Sequence, residues 1–97
     1  MGLIRIDYNE AIREANRLRT IATDCQNANV LVDRLISSIP TYWQGDAANA
    51  FKDKLQEWKR ENNSIKTEAN NLSSTVRRVA NEIREAERRA IAAMKGD

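Results

Sequence analysis

The chain has 97 residues, of which 41% are hydrophobic and 31% charged, with only three glycines and one proline. This composition is typical of one helical domain near the lower size limit for independent folding. The 16 basic and 14 acidic residues alternate along the chain and leave a net charge of +2, so we predict no nucleic-acid partner.

The chain contains one cysteine, Cys25, and no histidine. A single cysteine excludes an internal disulfide, and the usual zinc ligand sets and a histidine-activated nucleophile are missing. We therefore predict no metal, no cofactor and no enzymatic activity. Cys25 lies on an apolar stripe and is interpreted as a small buried hydrophobe rather than a reactive thiol.

No segment of the sequence has the pattern of a membrane span or of a cleavable signal peptide. Residues 1–6 contain no apolar run of the required length, and no stretch approaches the ~20 apolar residues of a membrane helix. We expect no stable membrane insertion, and any export must use a route that does not read a cleavable signal peptide.

The first predicted helix runs from about residue 7 to 39. Asp7 and Glu10 have the spacing of a capping box, in which each side chain bonds the backbone N–H of the other residue. Apolar residues then recur in steps of three and four, interrupted by Asn29. Pro40 ends the helix because it has no N–H and disfavours helical angles at the preceding residue. The stripe consists of Ile4, Tyr8, Ala11, Ala15, Leu18, Ala22, Cys25, Val32, Ile36 and Ile39.

A bend is predicted at about residues 40 to 46. Gly45 can adopt a positive φ at little cost, and Asp46 is a good N-cap for the next helix. Trp43 is expected to pack into the end of the helix pair and to set the angle of the turn.

The second predicted helix runs from about residue 46 to 94. It would span ~70 Å against ~45–50 Å for the first, so we expect the turns from about Ala80 onward to extend past the first helix. Phe51 and Trp58 are placed in the core near the bend, and Asn62 is the one polar residue of the stripe. The apolar residues of this stripe are Ala48, Phe51, Leu55, Trp58, Ile65, Ala69, Leu72, Val76, Val79, Ile83, Ala86, Ala90 and Met94.

Asn29 and Asn62 have two interpretations. Counted outward from the bend, they fall within about two turns of each other, so they could meet inside the seam and set its register. Alternatively each lies at the edge of its stripe and meets water, and this second interpretation is favoured.

Two helices cover one another on one side only, which leaves part of the apolar surface without a partner. The sequence therefore predicts an all-α fold, an antiparallel helix-turn-helix hairpin over residues 1–97 that dimerises into an elongated four-helix bundle. The second hairpin is an identical chain or a related one. The extra apolar width of the first helix comes from Ile12, Ile21, Ala28, Leu31 and Leu35.

The bend carries an extended pattern, Trp43-x-Gly45-x-Ala47-Ala48-x-x-Phe51, near the middle of the chain. The pattern, its position and the helices on both sides resemble the WXG-hundred family, the ESAT-six-like proteins of type VII (ESX-like) secretion. The resemblance covers the whole chain. It implies a protein that is cytoplasmic before export and then secreted, a substrate that also serves as helper or carrier for other substrates. The implied partner is a membrane-bound secretion ATPase.

The resemblance also implies an export signal near the end of the second helix. Family members carry there an aromatic or apolar residue, an acid four positions later and further apolar positions. Ile83, Glu87, Ala90 and Met94 match this order and share one helix face. Ile83 stands where many members have Tyr, which leaves two alternatives: a signal of its own or export on a partner's signal. From periodicity alone, the four residues are the end of the seam with an ordinary surface acid.

Basic residues in the same segment alternate with acids, and pairs such as Arg78 with Glu82 and Glu85 with Arg89 have i,i+4 spacing. We interpret them as a solvated helix face rather than a nucleic-acid or membrane surface, because no aromatics accompany them. The basic residues are Arg77, Arg78, Arg84, Arg88 and Arg89.

The competing hypothesis is an intracellular coiled-coil adaptor unrelated to secretion, in which the same stripes bind a longer helical partner. An adaptor needs only the stripes, whereas the resemblance implies that the bend and the C-terminal turns are recognised by the secretion machinery.

Overall fold

A computed structural model describes residues 6–96, which form two long helices joined by a short turn. α1 covers Tyr8–Ser38, a 3-10 turn covers Ile39–Thr41, and α2 covers Asp46–Met94. The helices pack antiparallel in a rod of 77 × 18 × 17 Å, and residues 6–96 contain no strand. The predicted all-α hairpin is confirmed. Residues 1–5 lie outside the described residues. They include Ile4 of the predicted stripe and part of the segment in which a signal peptide was sought.

α1 begins with half of the predicted capping box. The Asp7 carboxylate accepts a hydrogen bond from the Glu10 N–H at 3.0 Å, as predicted. The Glu10 carboxylate, however, binds the Arg13 side chain, with Nε at 2.9 Å, in place of the Asp7 N–H. The hydrogen bond and charge of Arg13 lower the pKa of the Glu10 carboxyl below its usual value.

The contact strip between α1 and α2 is lined mainly by small residues. Because alanine and serine have short side chains, the two backbones can approach closely along this strip. The closeness is visible at Ser73, whose hydroxyl donates to the Ala15 carbonyl at 2.7 Å. The buried residues are Ala15, Ala22, Asn29, Ile39, Ala48, Asn62, Ala69, Ser73 and Ala80.

Asn29 and Asn62 meet inside this strip, so the favoured prediction that each faces water was wrong. The Asn62 Nδ2 donates to the Asn29 Oδ1 at 3.0 Å and to the Cys25 carbonyl at 2.8 Å. The Asn29 Nδ2 in turn donates to the Asn63 Oδ1 at 2.7 Å. Since a buried amide is costly without partners, this network favours the one alignment of the helices that satisfies it.

The prediction that α2 is unpartnered from about Ala80 onward was also wrong. Ala80 is only 1% exposed, and Ile6 and Tyr8 contact α2 as far as Glu87. The first arm reaches farther than its helix length suggests because the 3-10 turn and the extended Asp7 add chain at its two ends.

We predict that Asn62→Ala lowers the free energy of unfolding by about 1–3 kcal/mol, since it leaves the buried Asn29 amide with an unpaired acceptor. The matched control is Asn70→Ala, which removes an exposed asparagine of the same helix and should raise stability by up to about 0.5 kcal/mol through helix propensity. Urea unfolding followed by circular dichroism measures both. Equal effects of the two changes would contradict a structural role of the buried amides.

Candidate functional site

The bend is closed by Ile39 rather than by Trp43. Ile39 has no exposed surface, and its N–H donates to the Leu35 carbonyl, which keeps it on the stripe of α1. Its carbonyl accepts the N–H groups of Tyr42 at 3.1 Å and of Trp43 at 2.9 Å, which reverses the chain. Trp43 itself is 40% exposed, so the prediction that it packs into the end of the helix pair was wrong.

Trp43 instead lies against the first turns of α2. Its ring centroid is 5.7 Å from that of Phe51, with the two planes tilted by 37°. This spacing is within the range of favourable aromatic pairs. The indole therefore forms one end of an aromatic surface that starts at the bend and continues along α2.

Gly45 gives α2 its start. Its φ of 113° and ψ of −177° lie in a region that is essentially restricted to glycine, as the sequence predicted for a positive φ. Gly45 is also the N-cap, and its carbonyl accepts the Asn49 N–H at 3.0 Å. Asp46, predicted as the N-cap, is the first helical residue, where its carboxylate still favours the helix dipole.

One side of the hairpin is an exposed apolar surface, which we call the apolar face. Its residues on α2 recur every seven positions, each three residues after a buried or half-buried position. Those on α1 likewise follow the half-buried Leu18, Cys25 and Val32 by three residues. An antiparallel helix pair has a local two-fold axis perpendicular to the plane that contains both helices. Residues that follow a seam position by the same number of residues on each helix therefore face the same side of the hairpin. The apolar face consists of Trp43, Phe51, Trp58, Ile65, Leu72 and Val79 with Ile21, Ala28 and Leu35.

The predicted core positions of Phe51 and Trp58 were wrong, because both residues lie on the apolar face. Both were placed in the core, yet they are 39% and 43% exposed within the single chain. Leu31, predicted as extra apolar width, lies on the outer side of α1, and nothing in the structure explains why it is apolar.

The opposite side of the hairpin carries polar contacts between the helices. Those at the surface add little energy individually because water screens them. Within residues 6–96, this side carries no apolar surface comparable to the apolar face. The polar contacts join Lys59 to Asp33, Lys66 to Gln26 at 2.8 Å, Asn29 to Asn63 at 2.7 Å and Arg77 to Asn16.

The candidate export residues at the end of α2 continue the contact strip. Ile83, Glu87 and Ala90 are half-buried, and Met94 is 78% exposed. One Glu87 oxygen, Oε1, accepts the Ile6 N–H at 3.0 Å. Sequence reasoning missed this contact because it treated the segment as unpartnered.

The two parts of the candidate site are not brought together within one chain. Between Asp46 and Glu87, α2 spans ~60 Å, so the bend and the C-terminal residues lie near opposite ends of the rod. Any partner that contacts both parts at once must therefore run along the hairpin or meet two copies of it.

Charged and thiol groups elsewhere show ordinary surface or seam environments. Arg78 pairs with Glu82 at 3.1 Å as predicted, whereas Glu85 pairs with Arg88 at 3.8 Å and not with Arg89. Within residues 6–96, no cluster of three potential metal ligands occurs. The half-buried Cys25 is a free thiol. Neither described helix contains a stretch long and apolar enough to cross a membrane.

Comparison with known proteins gives one match. Residues 3–88 match the model of the family WXG100, described as proteins of 100 residues with WXG. The matched region includes the bend, Ile83 and Glu87, and it ends before Ala90 and Met94. No curated protein and no solved structure matches the chain.

We predict that Gly45→Ala destabilises the hairpin by about 1–3 kcal/mol, the cost of holding a residue with a Cβ in this backbone region. A Cβ at Gly45 would meet no atom within 4 Å, so the effect is conformational and not a clash. The control is Gly96→Ala, also at positive φ with open space but beyond the end of α2, where local fraying relieves the strain. Thermal unfolding measures both, and a neutral Gly45→Ala would contradict the prediction.

Proposed function

Because this chain belongs to the WXG100 family, we propose that it is exported by a type VII secretion system, as a substrate and as a helper or carrier for other substrates. The proposal rests on the family match over residues 3–88. In this proposal the protein is cytoplasmic before export and secreted afterwards without a cleavable signal peptide. It acts by binding and presentation and performs no catalysis.

We propose that a second copy of the chain covers the apolar face. The α2 part of this face extends over ~40 Å from Phe51 to Val79 without a charged residue in its heptad positions. Side-by-side packing of two such faces gives a four-helix bundle with two-fold symmetry. Large side chains that are half-exposed in the single hairpin would each contribute roughly 1 kcal/mol on burial.

A dimer whose hairpins run antiparallel would also join the two parts of the candidate site. Full overlap of the two apolar faces places Trp43 of one copy beside Val79 of the second copy, about one turn from its Ile83. A membrane-bound secretion ATPase could then contact the bend of one copy and Ile83, Glu87, Ala90 and Met94 of the other.

The competing proposal remains an intracellular coiled-coil adaptor. It is supported by the same apolar face, which a longer helix could also cover. The family match favours export because it includes the bend, which an adaptor does not require.

We predict that Leu72→Glu weakens dimerisation roughly 100-fold, since each copy loses an apolar contact and buries a charge. Leu72 is half-exposed in the hairpin, so helix content should persist. Asn70→Glu adds the same charge at an exposed position outside the apolar face and should leave the dimer intact. Sedimentation equilibrium measures both. A wild-type chain that is a folded monomer at micromolar concentration would contradict the homodimer and favour a related chain as partner.

We predict that Glu87→Ala and Trp43→Ala each reduce export at least about tenfold, because export requires docking on the ATPase. Glu87 lies outside the apolar face, so Glu87→Ala should leave the dimer unchanged, whereas Trp43→Ala removes one contact of the proposed interface and its dimer is checked by sedimentation equilibrium. The readout is the amount of protein in washed cells and in culture supernatant of the native host. Glu85→Ala, at an exposed acid that pairs with Arg88, is the matched control and should be exported normally. If no form leaves the cell, the adaptor is the better proposal; if all forms leave, the signal lies elsewhere or on a partner.

A further inference from the structure

The chain that leads into α1 binds the same part of α2 that carries the candidate export residues. The Ile6 N–H donates to the Glu87 Oε1 at 3.0 Å, and the Tyr8 hydroxyl donates to the Asn81 Oδ1 at 2.8 Å. The Arg84 guanidinium lies over the Tyr8 ring, 4.3 Å from its centroid. Three contacts of different chemistry therefore converge on a single stretch of about two turns.

These contacts differ from those of the contact strip. The strip is held by buried alanines and a satisfied amide network, whereas residues 6–8 use a few exposed or half-buried polar contacts at the end of the hairpin. Segments held by a few such contacts open at a small fraction of the global free energy of unfolding. Residues 6–8 can therefore separate from α2 while the rest of the hairpin stays folded.

We propose that residues 6–8 are a latch that holds Glu87, Arg84 and Asn81 through these three contacts, and that docking on the export machinery requires the latch to open. This inference rests on the proposed function. While the latch is closed, one Glu87 oxygen is occupied by the Ile6 N–H, and Arg84, which follows Ile83, is held over the Tyr8 ring. The apparent affinity of a receptor for this surface is then reduced in proportion to the open fraction.

The latch makes a prediction opposite to that of a purely structural N-terminal contact. If residues 6–8 only extend the hairpin, weakening them leaves export unchanged or lowers it. If they are a latch, weakening them raises export, because Glu87 and its neighbours remain intact and become accessible.

The first measurement tests opening itself. In a Cys25→Ala background, the Ala90→Cys thiol, at the half-buried position three residues after Glu87, reports access beside the latch, and the Ala86→Cys thiol, at an exposed position, is its control. Tyr8→Ala removes the hydroxyl and the ring under Arg84 and should raise thiol modification at position 90 about fivefold, with no change at position 86. Tyr8→Phe keeps the ring and should give a smaller increase.

The second measurement tests gating, with native residues at positions 25, 86 and 90. Tyr8→Ala, Tyr8→Phe and Ile6→Pro, which removes the donor to Glu87, are compared with Ile6→Val, which keeps it. We expect initial export to rise about three- to fivefold for Tyr8→Ala and Ile6→Pro, less for Tyr8→Phe and not at all for Ile6→Val. Circular dichroism confirms that each variant is folded.

The outcomes separate the latch from the function on which it rests. If modification at position 90 does not respond to Tyr8→Ala, no latch exists. If it responds while the wild type is exported and the variants are exported equally or less, the contact opens without gating, and the latch is overturned although the proposed function stands. A wild type that never leaves the cell overturns both.

Discussion

Two helices can bury only the strip along which they touch, and this constraint determines most of the structure. The strip of this hairpin is lined by small residues, so the backbones lie close but little apolar area is removed from water. Ile39 is the one large apolar side chain among the described residues that is fully buried. Most of the bulky side chains, including both tryptophans, are left partly in water in the single hairpin.

Periodicity predicted the two helices and their bend but not the side from which they touch. The steps of three and four in α2 define two sets of positions seven apart, one with Ala48 and Ala69, the other with Phe51 and Trp58. Periodicity joined both sets into one stripe, so Phe51 and Trp58 were predicted to lie in the core with the rest of it. In the structure the set with Ala48 and Ala69 lies in the strip together with Ser73 and Ala80, since close approach requires short side chains. The sequence does contain this information, because the side chains of one set are mostly smaller than those of the other. A count of hydrophobic residues does not distinguish the two sets.

The contacts of the buried asparagines and of Trp43 depend on how the two helices pack, which the sequence alone does not show. A lone Asn29 on a stripe has no visible partner in the sequence, so a contact with water was the simpler inference. Asn62 and Asn63 become its partners only when the helices are aligned. Trp43 was assigned to the end of the hairpin by its size, but the helical hydrogen bond of Ile39 keeps Ile39 on the stripe. Pro40 and Gly45 were predicted correctly in position because their effects are local.

The two surfaces of α2 that carry the proposals lie on different sides of the helix. The apolar face uses Phe51 and the positions at seven-residue intervals after it, whereas Ile83 and Glu87 continue the contact strip toward the start of α1. A second copy on the apolar face therefore does not displace residues 6–8. In these proposals, dimerisation and release of the latch use different residues of each copy. If both proposals hold, a dimer would form while Glu87 is still bonded to Ile6, and a receptor would need to separate only residues 6–8 from α2.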